Sequence, residues 1–184
     1  MTMLKKWLSK FTLFHLILIA AMAALGVAVK PVVSTLAHVV TGPLFIPGGA
    51  VAGGIYMLFP VLAASLTGAR GAGALCGLCQ GLLAMALGMA GSQGALSPLI
   101  YTLPGLAIDV MFLALARKEP NLPACCFAAL LANVVGTVSM NFVVFSLPLI
   151  PLLLGLCAAA LSGGLGGAAA WGITKQLRGW GIVK

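Results

Sequence analysis

Few side chains in this sequence are able to do chemistry, and their spacing decides which chemistry remains. The two histidines, His15 and His38, stand apart with no glutamate beside either, so the H-E-x-x-H zinc site of a metalloprotease is excluded. A serine nucleophile needs a histidine next to it, and neither histidine is so placed. Cys76-Gly77-Leu78-Cys79 is a C-x-x-C pair inside an apolar run, without Cys or His partners nearby. The five cysteines therefore read as small buried hydrophobes. The run Ser162-Gly163-Gly164-Leu165-Gly166-Gly167 is glycine-rich, but it lacks the strand context and the Lys-Ser/Thr ending of a phosphate loop. Phosphoryl transfer would also need several convergent basic residues. The sequence thus predicts a protein that is not an enzyme, with no catalytic residues, no metal ligands and no cofactor of its own.

What remains is hydrogen bonding from polar residues set in apolar surroundings, where each is expensive unless it faces protein or a wet cavity. Asn133, Thr137 and Asn141 recur at four-residue spacing and share one helix face, as do Tyr101, Gly105 and Asp109. For the two asparagines, hydrogen bonding between helices and contact with a ligand stand as equal readings. Asp109 reads as a capped or paired carboxylate near one end of its helix, and Gln80 as a hydrogen-bonder between helices. Lys30, His38, Gln93 and Tyr101 are expected on a common side. Hydrogen-bonding groups around an apolar mouth match the make-up of a small-molecule site.

The elements that position these residues follow from composition. Of 184 residues, 7% are charged and 62% hydrophobic, and mean hydropathy is +1.19. An ordinary soluble domain carries roughly 25% charge. The solvent for most of this chain is therefore lipid, and the class is an all-α integral membrane bundle in one domain. Six apolar runs are expected to span, at about 11–29, 50–67, 72–90, 98–116, 123–146 and 151–171, with a long outer loop from Lys30 to Gly49. Lys and Arg accumulate in cytoplasmic connections. With both termini cytoplasmic, the inside segments hold Lys5, Lys6, Lys10, Arg70, Arg117, Lys118, Lys175, Arg178 and Lys184, leaving only Lys30 outside. The net charge of +8 is a topology signal whose partner is the anionic inner leaflet of the bilayer; clustered basic surface for a nucleic acid is missing. A competing reading takes Lys5-Lys6 and Ala21-Met22-Ala23 as a cleaved secretory signal, but the apolar run continues to Val29, long enough to span.

Small residues inside the runs are expected to let helices approach closely. Gly73, Gly77 and Gly81 form such a stripe on the third helix, and Gly163 and Gly167 on the sixth. Ala20, Ala24 and Ala28 form another on the first.

The whole pattern resembles the substrate-binding S components of energy-coupling factor (ECF) transporters, a family of small six-helix bacterial membrane proteins. The likeness lies in the Ala20, Ala24 and Ala28 stripe, the long loop after it, Gly48-Gly49-Ala50-Val51-Ala52-Gly53-Gly54-Ile55-Tyr56 and Arg70-Gly71-Ala72. Gly91 to Gly94 and Pro104-Gly105 to Asp109 look like the branch associated with thiamine pyrimidine precursors. The resemblance implies a multi-pass protein of the bacterial plasma membrane that captures a vitamin-like molecule from outside. It implies partners too: a transmembrane T component and two ATPase subunits, which use the ATP. The alanine stripe would be the docking face, and His38, Gln93, Tyr101, Asn133 and Asn141 would surround the ligand. A neutral or weakly charged aromatic vitamin or precursor is expected there, while Lys30 leaves a carboxylate-bearing ligand open. Two other readings stand beside this one: a self-sufficient small permease or channel, and a membrane assembly subunit that transports nothing.

Overall fold

Apolar runs punctuated by glycine and proline become six helices in a computed structural model that describes residues 11–41, 48–115 and 120–181. The side chains of His38, Val40 and Ser92 are outside the described set. Lys5, Lys6, Lys10, Arg117, Lys118 and Lys184 also lie outside the described residues. The helices are α1 (Leu13–Thr41), α2 (Gly48–Thr67), α3 (Ala72–Ala86), α4 (Ser97–Leu115), α5 (Leu122–Met140) and α6 (Leu149–Gly179). A short 3-10 segment, Gly91–Leu96, leads into α4, and a single π turn, Asn141–Phe145, extends α5. Among the described residues there is no strand.

The largest departure from the sequence reading is α1. Its expected end at Val29 and the expected outer loop from Lys30 are replaced by unbroken helix to Thr41, with Pro31 in its interior. Proline removes one backbone donor, but the apolar residues that follow it favour continuing the helix in lipid, where a loop would expose backbone. Thr35 adds a hydrogen bond from Oγ1 to the Pro31 carbonyl, at 2.9 Å. Helix α6 also runs on, past the expected Trp171 to Gly179.

Five helices are long and apolar enough to cross a membrane, and α3 is the exception at 15 residues. At 1.5 Å per residue it reaches about 22 Å, short of a hydrocarbon core of about 30 Å. The expected run to Ala90 stops early because Gly88 and Gly91 take positive φ, 68° and 54°, and turn the chain toward the 3-10 segment.

Close backbone approach assembles the bundle. A Cβ on Gly73 would lie 2.8 Å from the Gly105 carbonyl, one on Gly77 would strike the Tyr101 carbonyl, and one on Gly81 would lie 2.6 Å from Pro98 Cα. The α3 stripe thus presses on α4. On α6, Gly163 and Gly167 press on the backbone of Ala129 and Cys125 in α5, while Gly166 meets Gly54 of α2. Both stripes pack as their spacing predicts. Hydrogen bonds lock the same seams, with Ser162 Oγ accepting from Gly54 N at 2.9 Å and Ser65 paired with Thr174 at 2.8 Å. Ile19, Ala23 and Val27 bury the inner face of α1 in this core. Large hydrophobic residues such as Leu106, Val110, Leu161 and Leu165 are exposed around the outside, as lipid contact requires. Cys76 and Cys125 are buried, Cys79 and Cys126 half-buried, and Cys157 is exposed, so the expectation of buried cysteines fails at that position.

Candidate functional site

One end of the bundle holds a cavity of about 480 Å³, within the range of small-molecule sites. Its wall is drawn from α1, α2, α3, α4, α5, the start of α6 and the segments around Gln93 and Leu147. Three mid-helix prolines line it: Pro31, Pro60 and Pro104. Prolines fit there because α-helical backbone beside a cavity can give up a hydrogen bond that lipid-facing backbone cannot.

Four of the five expected ligand residues, Gln93, Tyr101, Asn133 and Asn141, line this cavity together with Thr137. The fifth, His38, falls in the last turns of α1 rather than in a loop, and its side chain is outside the described set. The two asparagines face the cavity but have protein partners. Asn133 Nδ2 donates to the Ala50 carbonyl at 3.1 Å and to the Ala159 carbonyl at 2.9 Å, tying α5 to α2 and α6. Gly53 leaves the room this amide fills. Asn141 Oδ1 accepts from Leu147 N at 2.8 Å and closes the turn in which Ser146 takes φ 48°. Asn133 thus bonds between helices and Asn141 within its own turn, while both also line the cavity.

Two other amides of the cavity, Gln80 and Gln93, each leave a buried atom unpartnered. Gln80 is buried, with its amide against Gly26 of α1, and its Nε2 has no hydrogen-bond partner. The expected bond between helices is absent at that atom. Gln93 Oε1 is buried and unpartnered as well. Lys30 turns inward from α1, placing Nζ 3.4 Å from the centre of the Tyr101 ring and 5.5 Å from that of Tyr56. Ser34 hydrogen-bonds to Tyr56. The sequence reading kept Lys30 at the mouth of the site and passed over Ser34 and Tyr56, because both belonged to stretches taken as loop or packing. The missing signal was period: Lys30 and Ser34 stand four residues apart and share one helical face across Pro31.

At the opposite end, Asp109 holds the start of α3. Its Oδ1 accepts from Gly73 N at 3.1 Å and its Oδ2 from Ala74 N at 2.8 Å. The carboxylate satisfies orphan amides where the helix macrodipole favours negative charge. The expectation of a capped carboxylate is met there. Ala20, Ala24 and Ala28 are all exposed on α1, on the face turned away from the core.

A helical bundle with this arrangement has a solved counterpart. A crystal structure described as an S-component of an ECF transporter matches with a TM-score of 0.75 and 21% identity, over 94% of this chain and 88% of that one. The fold is therefore that of an S component, as the sequence pattern implied. Residues 14–135 match the family described as "ABC-type cobalt transport system, permease component", and the chain belongs to that family. No curated protein matches it. Family and fold together make it a multi-pass membrane protein of transport, not an enzyme.

Proposed function

We propose that this protein is the substrate-capture component of an ECF-type importer in a bacterial plasma membrane. It takes a small organic ligand from outside and passes it inward through a T component and two ATPase subunits. The observation that carries this reading is the cavity: roomy, walled mainly by apolar groups and set with a few polar ones, in a chain without a nucleotide-binding motif. Its end of the bundle is the outer one, since Arg70, Lys175 and Arg178 lie at the other end with Asp109. The exposed alanine face of α1 supplies a smooth surface for the T component.

The family description speaks of cobalt, but the described cavity wall fits an organic ligand better. It offers amides, hydroxyls, two tyrosine rings and an ammonium group, and the Lys30 charge repels a divalent cation. Reconstitution in liposomes tests the reading. With a T component and two ATPases we expect uptake that depends on ATP, and a small organic molecule retained on the purified protein. Equal uptake without ATP would make the chain a self-sufficient permease, and the absence of any ligand would make it an assembly subunit.

A further inference from the structure

Lys30 sets its amine in the wall of a membrane-embedded cavity, and among the described residues no carboxylate is placed to pair with it. There are two acidic residues in the whole sequence, Asp109 and Glu119. Both oxygens of Asp109 are held by the amides of Gly73 and Ala74. Glu119 lies outside the described residues. The Lys30 ammonium rests on the faces of Tyr101 and Tyr56 instead. Aromatic faces offset part of the desolvation of a cation, but they leave its charge uncompensated in low dielectric.

A second unpartnered donor lies nearby. Gln80 is 3% exposed, lines the cavity and leaves Nε2 without an acceptor. That nitrogen sits against Gly26, one helical turn before Lys30 on α1, about 5–6 Å along the helix axis. Buried donors without partners are rare in folded proteins; Gln80 Nε2 is one, and beside a Lys30 amine that meets only ring faces it asks for an acceptor brought from outside, while Gln93 Oε1 is an unpartnered acceptor in the same wall. Asn133 Nδ2 and Asn141 Oδ1 are already engaged within the protein.

Resting on the reading of this cavity as the ligand site, we propose that the ligand is an aromatic molecule carrying an anionic group, which Lys30 binds and Gln80 assists. The ring then takes the place of the ammonium on Tyr101. A carboxylate and a phosphate share this chemistry, and the test below begins with the carboxylate.

The test measures equilibrium binding to the purified full chain in nanodiscs, using matched probes that differ only in charge: benzoate against benzamide, and naphthoate against naphthamide. Phenyl phosphate against phenol extends it to phosphate. We expect at least one anionic probe to bind about tenfold more tightly than its neutral partner, as a charge-assisted hydrogen bond allows. Lys30→Gln and Lys30→Met should both erase the preference. Equal affinity within every pair, no binding of any anionic probe, or a preference that survives both substitutions would overturn the proposal. None of these readouts involves the partner subunits, so their failure leaves ATP-driven capture standing. Conversely, uptake without ATP would overturn capture and leave the charge preference measurable.

Discussion

Asp109 shows how a single carboxylate inside a span can serve the architecture that its place in the sequence suggests. The N-terminus of α3 begins after Gly71 at φ 91° with no side-chain cap of its own, so its first amides would be orphaned inside the bundle. The Asp109 carboxylate, arriving from α4, supplies the acceptors. Asp109→Asn keeps the shape and removes the charge, and should lower stability by about 1–3 kcal/mol in a denaturant titration of the solubilised protein. Ligand affinity should not change, because the cavity is at the other end. Stability equal to wild type with uptake lost would instead give Asp109 a part in transport. Asn133 makes the complementary case, since a cavity-facing amide there is committed to the carbonyls of Ala50 and Ala159. Asn133→Leu should therefore destabilise the bundle by about 1–3 kcal/mol whether or not ligand is present, as unfolding measurements with and without ligand would show. Spacing told that Asn133, Thr137 and Asn141 share a face. It held no information on which carbonyl would stand opposite each amide, and that decides between packing and recognition.

At the scale of elements, the glycine stripes were legible because small-residue spacing maps directly onto helix contact. The stripe on α3 is the sharper test. Gly77→Ala places a methyl group against the Tyr101 carbonyl, which is backbone and cannot swing aside. It should cost about 1–3 kcal/mol of stability and, by moving Tyr101, weaken ligand binding. Gly164→Ala is the control, with nothing near the added methyl, and should leave stability unchanged or raise it by up to about 1 kcal/mol. Thermal unfolding of the two variants side by side separates contact from helix propensity; equal losses in both would deny the stripe its packing role. The end of α1 was not legible for an equally physical reason. Lys30-Pro31 has the form of a stop in water, where the chain turns away to solvate charge and spare the proline its missing donor. Here the cavity receives the charge, so the helix goes on, and the residues beyond Pro31 become wall instead of loop. Reading α1 as ended at Val29 placed His38 in a loop and hid the neighbourhood of Lys30, Ser34 and Tyr56.

On the proposed function the whole molecule must reconcile a lipid-facing exterior with a surface for partners, and α1 is the helix proposed to carry both. Its inner face is fixed by Ile19, Ala23 and Val27, while Ala20, Ala24 and Ala28 stand exposed between larger neighbours such as Ile17 and Leu25. In lipid, exposed Leu or Ile is neutral, and a row of alanines adds nothing to solubility; what it adds is a shallow track into which another helix can settle. Burying such a track depends on shape rather than on charge, so bulk should abolish it. Ala24→Trp is expected to leave folding and ligand affinity as in wild type, because the side chain points away from core and cavity. It should prevent copurification with a T component and two ATPases and stop ATP-driven uptake in liposomes. A complex that still forms, or a ligand that no longer binds, would move the docking face elsewhere on the bundle. Because the stripe and the cavity lie on different faces of the same helix, Ala24→Trp and Lys30→Gln should fail separately, one in assembly and the other in recognition. If both proposals hold, one helix joins the two functions, since a ligand that displaces Lys30 from the tyrosines would act on the element proposed to dock the T component.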